Sequence, residues 1–468
     1  MNKPSRQPDH WLFLVLCTLL FWAPLPLGSH RPWSTAILQI LTGLIAAGLC
    51  WLLARQKLPA SISLKKSWPA IALFFAIPLW SALQLLPLAP PGWHIISLDM
   101  NATLFKLQKS LCYALLFTVS LQLLNTRERL KTAAMVIVAS GLFEASYAVL
   151  TVLGGRDFDI LSIRPPGQHH GDAAGTFVNR NHFAGYIEMC LAVGIGLMIA
   201  TFTENTSGAS WRERTRELLR ALLGEKMRLR LFLVAMVIAL VMTHSRMGNS
   251  AFFASMGVSA GIGYLLYRKT SRSMVILFGS MILIDVSIVS TWFGLDKLAA
   301  RIEQTQMNNE VRLDINANAW VWFQEHWVTG SGAGSFMSMF PRYRTHDVVG
   351  FFDFAHNDYL QILGEYGALG GSLFAAIALY ALWTALQAQR ARRTPLLRGM
   401  GFAAMMGIIS LLIHSTVDFN LHIPANAALL TMLCSFAFIA RHMKQPVITN
   451  TSRPRKSSAR ATPQVTVS

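Results

Sequence analysis

"LRGMGFAAMMGIISLLIHSTVDFNLHIPANAALLTMLCSFAFIAR", residues 397–441, holds two apolar runs, 397–417 and 422–441, parted by a short polar turn. Each run is close to the roughly 20 residues a helix needs to cross a bilayer core. The stretch therefore predicts two transmembrane helices joined tightly at one membrane face. The rest of the chain repeats the pattern, with apolar runs near 11–27, 34–54, 68–87, 104–124, 132–153, 183–203, 229–245, 249–267, 273–294 and 360–388. Of its 468 residues 53% are hydrophobic and only 14% are charged, and the mean hydropathy is +0.41. That is more apolar surface than one soluble core can hide. The expected fold is an all-α polytopic membrane protein of about 12 spans.

The run beginning at Trp11 lacks a small-residue cleavage site and is followed at once by another span, so it is expected to stay as a helix. All five cysteines (Cys17, Cys50, Cys112, Cys190 and Cys434) fall in apolar stretches. They indicate neither a disulfide framework nor a zinc site.

The net charge of +18 would suggest nucleic acid in a soluble chain, but here the basic residues sit between apolar runs, so no nucleic-acid partner is expected. With residue 1 inside and twelve spans, about 29 of the 41 Lys and Arg fall on the inner side and about 12 outside, as the positive-inside rule requires. The inner loop "WRERTRELLRALLGEKMRLR" (211–230) reads as a topogenic charge cluster or as a basic amphipathic helix on anionic headgroups. Of the 13 histidines only His10 and His442 lie inside. The chemistry therefore belongs to the outer face. The chain divides into an inner N-terminus (1–10), N-terminal helices (11–174), a membrane domain (175–441) with a large outer segment at 295–359, and a basic inner tail (442–468) expected to be disordered.

Three outer stretches carry arginine. In "THSRMGNS" (243–250) Arg246 sits between two spans, where a guanidinium meets a lipid phosphate or a bound anion. In "GTFVNRNHFAGY" (175–186) Asn179, Arg180, Asn181 and His182 precede a helix, whose free N–H groups favour an anion; capping by Asn181 is the simpler use. The outer segment adds Arg312, Arg342 and Arg344. Its "TGSGAGSF" (329–336) lacks the Lys and Ser/Thr of a phosphate loop and implies only a tight turn.

"AHNDYLQILGEYGALGG" (355–371) heads the next helix. Asn357 and Asp358 can cap its first turn, and Gly364, Gly367, Gly370 and Gly371 allow close helix approach. Capping leaves His356 unexplained. Nearby arginines disfavour its protonated form, leaving a neutral imidazole that can act as a general base. The turn "HSTVDFNLHIPAN" (414–426) adds His414, Asp418 and His422, with Asp418 placed to orient an imidazole, bind sugar hydroxyls or simply pack at a helix break. Asp157 and Asp159 in "RDFDI" resemble a metal-nucleotide motif of sugar transferases, but the spacing is common, and no metal site is assigned. Glu144, Glu188 and Asp285 fall inside spans as pathway or pairing residues.

In this order the features resemble the O-antigen ligase and polymerase superfamily of bacterial inner-membrane glycan transferases, from about Gly175 to Asn426. The ligase signature is a His-Asn pair, nine residues, then Gly, two residues and Gly, met here by His356, Asn357, Gly367 and Gly370. The ligase form continues with two threonines, where this chain has Gly371 and Ser372, and ligase and polymerase both stay open. "SRMG" and "RLDINANAWVWFQEHWVTGSGAGSF" are similar to the outer arginine turn and loop of the superfamily.

The resemblance implies a GT-C-like transferase in the inner membrane with its site facing the periplasm. It implies an undecaprenyl-diphosphate-linked glycan as donor, a hydroxyl of lipid A core or of another glycan as acceptor, membrane lipids as partners, and no cofactor or metal. His356, Arg246 and Arg312 are then the candidate catalytic groups. Asn179, Arg180, Asn181, His182, Arg342, Arg344, Asn357, Asp358, His414 and Asp418 are candidates for substrate binding. A protein acceptor and a lipid-glycan transporter are the remaining alternatives.

Overall fold

The computed structural model describes residues 7–86, 96–154, 171–201, 225–266, 279, 312–346, 348, 350 and 352–444, and among these every regular element is helical. The expected span near 273–294, Asp157, Asp159, Asp285, residues 204–224 and 295–311, and the tail beyond 444 lie outside the described residues.

The helices are α1 (His10–Trp22), α2 (Pro32–Ala54), α3 (Trp68–Gln84), α4 (Met100–Leu123), α5 (Arg127–Leu153), α6 (Arg180–Ala200), α7 (Glu225–Met242), α8 (Arg246–Leu266), α9 (312–325), α10 (Asp358–Ala391), α11 (Pro395–His414) and α12 (Pro424–His442). Seven of these, α2, α4, α5, α6, α10, α11 and α12, are long and apolar enough to cross a membrane, and α1 and α3 are shorter apolar helices. A multi-pass helical membrane protein is the resulting class; the total of twelve spans remains an expectation. Proline sets several of the boundaries. Pro32, Pro395 and Pro424 open α2, α11 and α12 at a position where their missing N–H costs nothing. Pro24 and Pro26 stop α1 at Trp22, short of the run to 27 that hydropathy alone suggests.

The centre is α6 against α11 and α12. Along α6 Phe183–Ile199 are all buried. A Cβ on Gly196 would stand 2.4 Å from the Gly399 carbonyl oxygen, and one on Gly399 would stand 2.1 Å from that of Gly196. The two backbones thus touch at that point, as small residues permit inside membranes.

The bundle has two chemically different ends. At one, Asp9 takes a bidentate pair from Arg129 at 2.8 Å on each arm, Arg127 donates to Thr394 and Arg392 donates to the Arg441 carbonyl. At the other, Ala173 N–H donates to the Met242 carbonyl, Asn426 Nδ2 to that of His182, and Asp358 N–H to those of Ser415 and Asp418. The start of α6, the end of α11 and the starts of α10 and α12 therefore meet at this second end, together with the turn between α7 and α8.

Helix α10 is broken at Gly367, where φ is 66° and ψ is −177°. The break frees carbonyls and N–H groups that apolar surroundings cannot satisfy. The glycine-rich turn closes them. Ser331 N–H donates to the Gly364 carbonyl at 3.0 Å and Gly332 N–H to that of Glu365 at 3.1 Å. Trp80 Nε1 donates to the Tyr366 carbonyl at 3.0 Å, and Ala368 N–H to that of Trp327 at 2.7 Å. The expected helix-to-helix role is thus corrected for Gly364 and Gly367. A Cβ on Gly364 would strike the Trp322 ring of α9 at 2.2 Å, and one on Gly367 the Val328 carbonyl oxygen at 2.3 Å. Those two receive the segment 312–330, while Gly370 does face a neighbouring span, where an added Cβ would meet the Trp80 ring of α3 at 2.8 Å.

Replacing Gly367 by Ala adds left-handed strain and a backbone collision, and is expected to cost about 3 kcal/mol or more. Gly43, where an added Cβ meets nothing within 4 Å, is the control. Heating purified protein in detergent and following the monodisperse fraction should show Gly367→Ala lost many degrees earlier, with Gly43→Ala near wild type.

Candidate functional site

His356 precedes α10 with φ at 51°, a left-handed conformation that a non-glycine residue adopts at a cost of about 1–3 kcal/mol. Its neighbour fixes it there. Asn357 Oδ1 caps the helix, accepting from Tyr359 N–H at 3.0 Å and Leu360 N–H at 3.2 Å. Asp358 does not cap. It is buried, and its Oδ2 accepts from Ser415 Oγ at 2.7 Å and from Leu421 N–H at 3.1 Å. One carboxylate thus ties the start of α10 to the turn between α11 and α12.

That turn carries Asp418, buried, with its Oδ1 3.4 Å from His182 Nε2 and 3.9 Å from His356 Nδ1. Three segments far apart in the chain meet around one carboxylate. Phe419 lies edge-on to both imidazoles, with centroids 4.3 Å from His182 and 4.9 Å from His356, and stacks on Phe354 at 4.3 Å. His182, His356 and Phe419 face a cavity of about 250 Å³ that Asn179, Phe352 and Asp353 also line.

Electrostatics set the protonation of this group. Burial pushes the His356 imidazole down to about 4; Asp418 opposes the shift, while Arg312 and His182 add to it. Burial alone would raise Asp418, but His182, His414 and His356 outweigh it and hold its carboxyl well below the usual carboxylate range. At neutral pH the site is a neutral imidazole beside an ionised carboxylate. Such a pair accepts a proton on the ring and stabilises the imidazolium that forms.

The other expected residues are placed as follows. Arg312, half-buried at the start of α9, is close enough to act on His356. Arg180 pairs with Asp172, which also lies 2.6 Å from His244 Nδ1, so "NRNH" and "THSRMG" are joined through an aspartate. Burial raises the Asp172 carboxyl, but His244 and Arg180 prevail and lower it. Arg246 is exposed as the first residue of α8 and is not among the groups acting on His356. Asn179, not Asn181, caps α6, its Oδ1 accepting from Asn181 N–H at 2.8 Å; Asn181 itself already has helical backbone and cannot serve as the cap. Arg344 pins the outer segment by donating to the Gly350 carbonyl, and exposed Arg342 acts on His326. His414 is fully buried, 2.8 Å from Glu188 Oε1, and does not line the cavity. Glu144 accepts from Thr176 N–H at 2.8 Å and Oγ1 at 2.9 Å, which secures the turn before α6.

Sequence reasoning missed a buried chain of charges below the site. Glu365 Oε2 accepts from Gly334 N–H at 2.8 Å and lies 3.8 Å from Lys106 Nζ, which is 2.5 Å from His422 Nδ1. His422 Nε2 is 3.6 Å from Asp358 Oδ1. Burial, with Lys106 and Lys109 nearby, keeps His422 well below its ordinary value, so its Nδ1 accepts from Lys106. The available signal was two lysines three residues apart within an apolar run, "TLFKLQKS" (103–110).

Residues 231–375 match the family model described as O-antigen ligase. The match places this region in the O-antigen ligase superfamily. Arg246, Arg312, His356 and both halves of the α10 break fall within the O-antigen ligase match, while Arg180, His182, His414 and Asp418 lie outside it. No curated protein matches the chain. The O-antigen ligase match and the apolar helices together support a membrane-embedded glycan transferase of the ligase or polymerase kind.

Removing the Lys106 cation leaves Glu365 buried without its counter-charge. Lys106→Met is expected to cost about 2–3 kcal/mol, and adding Glu365→Gln should recover part of it. Thermal unfolding of the two single variants and the double variant checks this; strict additivity would contradict the coupling.

Proposed function

We propose that the protein moves a glycan from undecaprenyl diphosphate onto an acceptor hydroxyl at the periplasmic face of the inner membrane. The observation that carries this reading is the His356, His182 and Asp418 group, gathered at one end of the bundle beside Arg312. Its strained residue, His356, is the one that the O-antigen ligase signature contains.

The chemistry follows from charge. The acceptor O–H gives its proton to His356 as its oxygen attacks the anomeric carbon, and the bond from that carbon to the diphosphate oxygen breaks. The leaving diphosphate keeps the electron pair. In-line displacement inverts the anomeric centre. Asp418 stays ionised and balances the imidazolium. Arg246 and Arg312 clamp the diphosphate, since fixed guanidinium forks stabilise charge that develops in the transition state. Arg180 assists only by exchanging Asp172 for the substrate. An apolar groove of about 350 Å³, lined by Phe74, Tyr113, Tyr359, Phe374 and Leu430, runs along the first turns of α10 and suits an isoprenoid chain.

Two measurements test the reading. With lipid-linked donor and purified protein, His356→Ala should abolish transfer while donor binding stays close to wild type. Arg246→Ala and Arg312→Ala should each lower turnover by 10²-fold or more. If the histidine variant transfers normally, the base assignment fails; if both arginine variants do, the clamp fails.

The orientation is tested in a Cys50→Ser background, since Cys50 is the one exposed cysteine among the described residues. A cysteine at exposed Ala317 should label with an impermeant thiol reagent in whole cells, and one at exposed Lys57 should not. Ser335 is unsuitable because it is fully buried against Ser331. The reverse labelling pattern would overturn the periplasmic placement.

A further inference from the structure

The cavity beside His356 has two unlike kinds of wall. Phe177, Phe352, Phe354 and Phe419 supply flat apolar surface, while Asn179, His182, Asp353 and His356 supply hydrogen-bonding groups. His182 Nε2 and His356 Nδ1 are buried against Asp418 Oδ1, 3.4 Å and 3.9 Å away. Three of the four phenylalanines are already engaged with other rings: Phe354 with Phe419, and Phe177 with Phe183 and Tyr186. Phe352, half-buried, pairs with no other ring among the described residues; it packs against the cluster that holds Ile315, Trp322 and Phe336 and turns part of its surface to the cavity.

This combination selects a ligand class. A diphosphate needs cations, and the cavity lining contains neither arginine nor lysine; the acid groups beside it, Asp353 in the wall and Asp418 behind the histidines, repel an anion. A lipid chain would cover the polar groups of Asn179, Asp353 and His356 in the wall without giving them a hydrogen-bond partner, at a cost of about 1–3 kcal/mol each. A pyranose ring meets both demands, with an apolar C–H face for an aromatic ring and hydroxyls for imidazole, amide and carboxylate. The volume of about 250 Å³ is enough for one sugar ring.

We propose that this cavity is the acceptor-sugar subsite: Phe352 stacks on the ring of a glycan acceptor whose free hydroxyl points to His356. The proposal rests on the transferase reading and narrows it, because it makes the acceptor a sugar hydroxyl and not a serine or threonine of a protein. Phe352 is then a specificity-determining residue on the acceptor side, while the donor is held elsewhere, by the arginines.

The test uses full-length protein in nanodiscs and, as probe, the lipid-free oligosaccharide released from the host's own surface glycolipid. Binding is read by calorimetry, and transfer is read separately with lipid-linked donor. Wild type should bind the probe. Phe352→Ala should weaken binding by 10-fold or more and raise the acceptor KM in parallel, with the donor KM unchanged; Phe352→Tyr should restore both. His356→Ala should still bind the probe while failing to transfer. Unchanged binding in Phe352→Ala, a shift in donor KM instead of acceptor KM, or displacement of the probe by undecaprenyl diphosphate would each overturn the assignment. If Phe352-dependent binding holds but wild type transfers nothing, the sugar subsite stands and the transferase reading fails.

Discussion

A helix that breaks in apolar surroundings has to find donors and acceptors elsewhere for the backbone groups it frees, and α10 meets that constraint at Gly367. Residues 327–332 of the outer segment, with Trp80 and Gln84 of α3, satisfy the carbonyls of Gly364, Glu365 and Tyr366. The same bonds fix the half-helix 358–366, and with it the position of His356 at its mouth. Three glycines of the turn, Gly330, Gly332 and Gly334, hold positive φ; an added Cβ would strike the break itself at Gly330, Ser97 at Gly332, and Ala102 and Lys106 of α4 at Gly334. The outer segment is therefore the structural partner of the broken helix as well as a cover for the site.

The second organising feature is the placement of acids. Asp358, Asp418, Glu188 and Glu365 are all fully buried, and each lies beside a histidine or a lysine. Burying charge in this way contributes little net stability. Its consequence here is geometric: each acid joins helices that are distant in sequence, α6 to the turn after α11 through Asp418, α6 to α11 through Glu188, and α10 to α4 through Glu365. The imidazole at the mouth of α10 inherits its surroundings from those links. Burial keeps it neutral, and Asp418 stands 3.9 Å away as an ionised carboxylate.

Much of the site was legible in the sequence. The polar groups in the short turns between apolar runs were readable as one-sided, because alternating spans send every second turn to the same face. His356 stood out because capping accounts for Asn357 and cannot account for a neighbouring histidine. Other readings failed for definable reasons. Asn179 and Asn181 are both capping residues by type, and only the backbone path before α6 decides between them. Gly364 and Gly367 read as helix-packing residues like Gly370, because sequence does not say whether a close approach comes from another span or from a returning loop. Lys106 and Lys109 escaped notice because a cation within an apolar run gains meaning only when its counter-charge is located, and Glu365 lies 259 residues beyond Lys106.

By itself the sequence determined the class of the protein, the gathering of its polar turns and the histidine at the head of α10. These follow from local quantities: the length of apolar runs, the sign of charge between them and the capping chemistry of adjacent residues. Only the tertiary structure decided that His182 and His356 share one cavity with Asp418 behind them, that Arg180 is already paired with Asp172, and that His414 belongs to a buried pair. Such facts depend on distances between residues from separate helices, and packing of the whole bundle fixes those distances, since no local preference acts across a membrane span.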